Sequence, residues 1–325
     1  MQEILIVVTM DCERPRSETK DNASGPVSYA DSARFIEGYR RLVAERGWPV
    51  TFFVHPEVMV AHPAIFQEAE HDGACLGLHV HPWKLKKSKW NAHFGGLTAV
   101  EQREILRYAG DMFAEGLGRW PLYFRPGTFS ANDNTFAVLD ELGFRGGSIS
   151  APERIYRDLC AVWTGAPKDP HRTHQAFRLI PGDMDFVNMP LSVDFSEMQE
   201  VNGRRFGRDL RPDYQSADYT AIARNIVEQV IGRDPAVPIV NLLTHNDNDF
   251  TRPSDRVRQN LLRAFDAIEQ ASAERGLKIK GATMENVVDL VLAAGHQPRE
   301  LETVGVIHGD REAEVTPHDA GSRKA

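Results

Sequence analysis

Cysteine is scarce in this chain. Cys12, Cys75 and Cys160 are all there are among 325 residues, odd in number and far apart. That argues against a disulfide scaffold and for reduced thiols in a cytosolic protein. Long apolar runs are missing too: none approaches the roughly 18 residues of a membrane span. Positive charge is in deficit, with 38 Lys plus Arg against 46 Asp plus Glu and a net charge of -8. Nucleic acid and anionic membranes are therefore poor partners. No basic segment or cleavage site precedes the strand that begins at residue 4, so no signal peptide is predicted. No internal repeat is visible, and nothing within residues 1–296 has a linker's composition. Hydrophobic residues make up 42% of the chain, enough for one large domain with a sizeable core. These features predict a single cytoplasmic domain over 1–296 and a polar tail over 297–325, with the oligomeric state left open.

The run Ile4-Leu5-Ile6-Val7-Val8-Thr9-Met10-Asp11-Cys12-Glu13 reads as a strand buried on both faces that stops in two acids. Asp31 is expected to cap a helix running to about Gly47. Strands follow at 50–54 and 74–78, with a helix between them at 57–72. Thr98 and Glu101 form a capping box for a helix reaching about Leu117. Further strands are expected at 121–124, near 144–149, at 187–193, at 237–243 and at 277–281. Residues 196–215 read as a polar loop, and helices are expected near 132–142, 217–231, 254–275 and 284–294. Strands alternating with helices some seven or eight times predict a parallel α/β barrel.

Four of these strands end in groups able to do chemistry: Asp11 with Glu13, His79 with His81, Arg125, and His245. In a closed barrel such C-terminal ends converge on one mouth. His79 and His81 are two apart on an extended segment, so both imidazoles can face one ion. Two His and a carboxylate around zinc leave a position open for water, the pattern of a catalytic site.

The ordered set Thr9-x-Asp11-x-Glu13, Thr51-Phe52-Phe53-Val54, Gly77-Leu78-His79-Val80-His81-Pro82-Trp83, Phe124-Arg125-Pro126-Gly127 and Leu242-Leu243-Thr244-His245 resembles the polysaccharide deacetylase superfamily. The resemblance runs from residue 4 to about 290. It implies a distorted (β/α) barrel of about seven strands and metal-dependent hydrolysis of an N-acetyl or related amide. It implies Zn²⁺, or another divalent transition metal, on Glu13, His79 and His81. It also implies Asp11 as the base toward water, Arg125 as the group orienting that carboxylate, and His245 as the acid toward the leaving amine. Common members have two adjacent acids in the first motif and histidines four apart. Here Cys12 separates the acids, so either Asp11 or Glu13 can be the metal carboxylate. For the fourth-motif acid, Asp183, Asp185 and Asp194 compete.

Trp83, His55 and Asp247 are secondary candidates for substrate contact. Lys84, Lys86, Lys87 and Lys89 form the densest basic patch, directly after the histidine pair, and suggest an anionic group on a soluble substrate such as a phosphate-linked N-acetyl sugar. The expected partner is a small-molecule or oligosaccharide substrate, and the leading activity is removal of an acyl group from an N-acylated sugar. Two other readings stand beside it: a same-fold hydrolase of a small non-sugar amide or cyclic ureide, and a catalytically inactive carbohydrate-binding barrel.

Overall fold

The structure is a computed structural model and describes residues 3–19, 23–86 and 89–295. From the amino terminus the order is β1 (Glu3–Cys12), α1 (Tyr29–Ala44), β2 (Val50–Val54), α2 (Pro56–Ala61), α3 (Pro63–His71), β3 (Cys75–Val80), α4 (Ala99–Leu117), β4 (Tyr123–Pro126), α5 (Thr135–Glu141) and β5 (Gly146–Gly147). Short strands β6 (Ile155–Tyr156), β7 (Ala161–Val162), β8 (His171–Arg172) and β9 (Val187–Asn188) follow, then the hairpin β10 (Val193–Val201) and β11 (Arg204–Asp209). Next come α6 (Tyr219–Arg233), β12 (Ile239–His245), α7 (Arg256–Glu274), β13 (Lys278–Gly281) and α8 (Met284–Ala293). The tail expected from residue 297 lies outside the described residues.

β1 pairs with three strands. Parallel β12 pairs along one edge; β13 and then β2 share the other. β3, β4, β5 and β9 continue the parallel order, and β8 ends it antiparallel. Between β9 and β12 the curl is joined by single hydrogen bonds: Asn241 Nδ2 donates to the Pro190 carbonyl at 2.9 Å, and Ser192 N donates to the Asn241 carbonyl at 3.3 Å. This is the parallel α/β barrel that the alternating pattern predicts, with the distortion that the resemblance implies.

Side-chain alternation divides β1 between two cores. Ile4, Ile6, Val8 and Met10 pack outward with Ile36 of α1 and Phe265 of α7. Leu5 and Val7 point the other way and pack with Phe53, Tyr123, Ile239 and Met284, the last at the start of α8. Continued along the strand, that inner face reads Leu5, Val7, Thr9, Asp11. It turns from apolar to polar toward the C-terminal end, which is why the acids sit at the mouth.

Three local expectations need correction. The cap of α1 is Ser28, whose Oγ accepts from Asp31 N at 3.1 Å, so Asp31 lies in the first turn. The helix expected over 57–72 is two helices broken at His62 (φ -132°, ψ 47°), because Pro63 disfavours helical backbone before it. Residues 196–215 are largely the β10–β11 hairpin, turned by Asn202 and Gly203 at φ 50° and 74°. Asn-Gly is the pair a tight hairpin turn favours, since both positions need positive φ. The capping box at Thr98 and Glu101 is present.

Candidate metal and catalytic centre

Ladder register assembles the site. Asp11 lies opposite His245 of β12 on one edge and Phe53 of β2 on the other. Phe53 is level with Gly77, and His79 with Arg125. A Cβ on Gly77 would come within 2.8 Å of the Phe53 ring, so a glycine there makes room for that ring. The ring in turn carries the Arg125 guanidinium 4.2 Å above its centroid.

Arg125 is fully buried and its Nη1 donates to Asp11 Oδ1 at 2.8 Å and to Thr9 Oγ1 at 2.9 Å. Burial alone would push the Asp11 carboxyl up. The charges of Arg125, His79 and His245 outweigh it and hold the group below the usual carboxylate range.

Glu13 follows the end of β1. Its backbone is clamped by Asn246, which accepts from Glu13 N at 2.7 Å and donates to the Glu13 carbonyl at 3.1 Å. Its carboxylate is wholly buried: Oε1 lies 2.9 Å from His81 Nε2 and 3.4 Å from His79 Nε2, and accepts from Ser24 Oγ at 3.1 Å. One ligand atom from each of Glu13, His79 and His81 lies within 4.8 Å of the others, and all three residues are buried.

His79 Nδ1–H donates to the Arg125 carbonyl at 2.9 Å, which leaves the Nε2 lone pair turned toward Glu13. Asp11 Oδ2 lies on the Nδ1 side of the same ring, at 3.9 Å. The His81 ring packs on Gly127, where any Cβ would fall 2.2 Å from Nδ1. Burial pushes His81 down to about 4 despite Glu13, keeping it neutral at pH 7. Against its burial, the Asp11 and Glu13 charges raise His79. A His₂–carboxylate set of this kind suits a divalent transition metal, which would take both imidazoles in their neutral, deprotonated form.

The sequence places Lys84 in a basic patch facing an anionic substrate group. It is instead buried, with Nζ 2.9 Å from Glu13 Oε2 and donating to Ser24 Oγ at 3.0 Å. The contact with Oε2 is a charge contact, not an aligned hydrogen bond. It leaves Oε1 as the oxygen open to an ion. Despite the burial, the Lys84, His81 and His79 charges draw the Glu13 carboxyl well below the usual range. The spacing held the signal: a 3₁₀ turn after His81 (Pro82–Lys84) puts positions three apart on one side, and Lys84 N bonds the His81 carbonyl at 2.9 Å. Exposed Lys89 pairs with Glu104, exposed Lys86 donates its backbone N–H to Glu57 at 2.7 Å, and Lys87 lies outside the described residues. Among the described residues, Lys84 and Lys89 are thus engaged by Glu13 and Glu104.

Of the secondary candidates, His55 is buried with neither ring nitrogen hydrogen-bonded, at the start of α2. Trp83 meets the His81 ring edge-on at 5.6 Å. The Asp247 carboxyl is pushed up by burial, with the His245 charge opposing and the Asp213 charge adding. The three acids weighed for the fourth motif sit elsewhere. Asp183 and Asp185 are exposed beside Arg172, and Asp194 is tied to Asn225 and Gln229 of α6. Asn246 and Asp213 carry no signal in the sequence, and Lys84 stands out there only as one of a basic patch. Two surface cavities of 820 and 400 Å³ are lined by none of the site residues.

A family model described as polysaccharide deacetylase matches residues 29–147, which span His79, His81 and Arg125. The matched segment, α1 through β5, is similar to that family. Similar solved structures share its fold. A Mycobacterium smegmatis protein assigned as a polysaccharide deacetylase is 18% identical (TM-score 0.54) over 92% of this chain and 93% of its own. Puue allantoinase is 13% identical (TM-score 0.55) over 90% of this chain and 92% of its own. A Pseudomonas aeruginosa PAO1 protein assigned as a polysaccharide deacetylase has the same identity, TM-score and coverage. No curated protein matches the chain. Among the described residues no helix is long and apolar enough to cross a membrane.

Proposed function

We propose that this chain is a member of the polysaccharide deacetylase superfamily and a metal-dependent hydrolase that removes an acetyl or similar acyl group from an N-acylated sugar. The observation that carries the reading is the buried Glu13–His79–His81 donor set beside an Asp11 carboxylate anchored by Arg125. Glu13 Oε1 and the Nε2 atoms of His79 and His81 would hold zinc or another divalent transition metal. Bound there, such an ion supplies Lewis-acid polarisation of a carbonyl and lowers the pKa of water to about 7.

The remaining roles belong to the chain's own side chains. Asp11, kept ionised and oriented by Arg125, takes a proton from the attacking water, a contribution of roughly 10²–10⁴-fold. The amide nitrogen leaves as a neutral amine only if protonated. His245, level with Asp11 on the neighbouring strand and partly exposed, is the acid for that step. Trp83 and Asp247 are the side chains offered to the sugar. The His55 ring makes no hydrogen bond among the described residues and serves packing.

Elemental analysis with an acetate-release assay on N-acetyl sugars tests the proposal. About one divalent ion per chain and released acetate are expected, and a His79→Ala/His81→Ala variant should lose both. Equal metal content in the two proteins would overturn the ligand set. The fold likeness to Puue allantoinase supports a second reading, C–N hydrolysis of a cyclic ureide, which product analysis separates by the absence of acetate.

A further inference from the structure

Arg154 precedes β6, and Glu153 before it holds a left-handed φ of 63°. Its guanidinium lies 4.9 Å from the centroids of the Phe129 and Tyr156 rings and is only 7% exposed. It makes no side-chain hydrogen bond among the described residues, and its Nε is buried without a partner. The nearest carboxylate oxygen, Asp209 Oδ2, is 3.9 Å from Nη2. That carboxylate is already committed: Arg211 donates to it from Nε at 2.9 Å and from Nη2 at 2.9 Å, and Tyr214 OH at 3.1 Å.

Phe129 links this cluster to the catalytic end, for Arg125 also lies over its ring, at 5.6 Å. The ring is aimed there by consecutive left-handed residues, Thr128 (φ 60°) and Phe129 (φ 58°), a strained backbone of the kind stored at functional sites. Arg211, which also has the charge of Asp213 in reach, is thus paired, while buried Arg154 has no hydrogen-bonded counter-ion among the described residues. Burial and the charge of Arg211 both work against Arg154, pushing its group below the ordinary arginine value. An uncompensated buried charge is costly unless an ion completes it. A guanidinium is a planar fork that matches an oxyanion with two parallel hydrogen bonds.

We propose that Arg154, beside Phe129 at the rim of the catalytic centre, binds a carboxylate carried by the substrate, so that the preferred N-acyl sugar is an acid. This rests on the hydrolase reading for its substrate class, and the test reads binding so that the two can fail separately.

Calorimetric titration of the full chain with N-acetylmuramic acid and with N-acetylglucosamine compares ligands that differ by one carboxylate-bearing group, and N-acetylglucosamine 6-phosphate adds a phosphate arm. The acid should bind at least tenfold more tightly than the neutral sugar. Arg154→Gln should abolish that preference while leaving the affinity for the neutral sugar unchanged. Arg154→Lys, which keeps the charge but not the fork, should retain part of it. Equal affinity of the native chain for the acid and the neutral sugar, or no binding of either, overturns the proposal even if Arg154→Gln does not fold. A preference that survives Arg154→Gln overturns it too, as does tighter binding of the phosphate than of the carboxylate. Acetate release without a carboxylate preference would defeat this inference and leave the hydrolase reading standing. A carboxylate preference without turnover would do the reverse.

Discussion

The two sides of the mouth are held by different physics. Between Glu3 and Gly147, side chains are placed by ladder register: Asp11 opposite His245, His79 opposite Arg125. Between Ala151 and Tyr214 they are placed by turns and ion pairs, with Asp209 gripping Arg211 and leaving Arg154 at 3.9 Å. The charges differ in the same way. On the ladder side Asp11 meets Arg125 and Glu13 meets Lys84, two acids against two bases. On the turn side two guanidiniums share Asp209. A balanced cluster is complete by itself, whereas an unbalanced one calls for a ligand. A metal on the ladder side would therefore compete with a resident cation, while an anion on the turn side would give Arg154 the bonded partner it lacks.

The sharpest break in this comparison comes from separating the two acids. Asp11→Asn removes a base but no ligand atom of the Glu13–His79–His81 set. Turnover should fall roughly 10²–10⁴-fold with metal content unchanged. Glu13→Ala should empty the site. Metal lost from Asp11→Asn and kept in Glu13→Ala would reverse the assignment.

Lys84 gives the next effect. Breaking a buried pair by removing one partner costs about 3–5 kcal/mol, because the other charge is left alone. Lys84→Met should destabilise the metal-free protein by that order in urea unfolding. It should also tighten divalent-ion binding in a chelator competition, since the resident cation is gone. Unchanged metal affinity would show that Lys84 and the ion do not compete.

Legibility from sequence follows the same division. A strand's side chains alternate, so Leu5, Val7, Thr9 and Asp11 declare their shared face in the chain itself, and His79 with His81 do so again. What register cannot announce is a side chain that arrives by a turn. In the sequence Lys84 is one of four lysines in a basic patch, because its burial depends on a 3₁₀ turn folding it under Glu13. Arg154 and Arg211 drew no notice because nothing local marks an arginine as short of a counter-ion. The β10–β11 hairpin was readable, through Asn202-Gly203, but its strands are polar on both faces and lack the apolar alternation that marks a half-buried strand.

His171, at β8 and remote from the donor set, tests buried charge without metal chemistry. Burial pushes it down to about 4 from 6.5, with Nδ1–H donating to the Asp169 carbonyl at 2.8 Å. A base depressed in the folded state is neutral there while the unfolded chain takes up a proton. Its stabilising effect is therefore complete above the unfolded value and is lost as pH falls from 6.5 toward 4. Between pH 7 and 5 the native chain should lose about 2 kcal/mol more stability than His171→Phe, followed by urea unfolding at each pH. Equal slopes would mean that His171 is solvated or charged in the fold.

The smallest effect should come from Lys89, and its size matters because of its neighbour in sequence. Lys89 and Glu104 form an ion pair with side chains 62% and 50% exposed. Exposed pairs contribute about 0–1 kcal/mol, since water screens them and ordering two long side chains offsets the attraction. Lys89→Ser should shift stability by no more than about 0.5 kcal/mol and leave metal content and turnover unchanged. The same substitution five residues earlier, Lys84→Ser, should disturb both. If Lys89→Ser instead slowed turnover of a charged substrate and raised salt sensitivity, the exposed loop would be steering anions electrostatically after all. The ladder side would then carry an attraction for anions of its own, and the contrast between the two sides of the mouth would narrow to the buried charges alone.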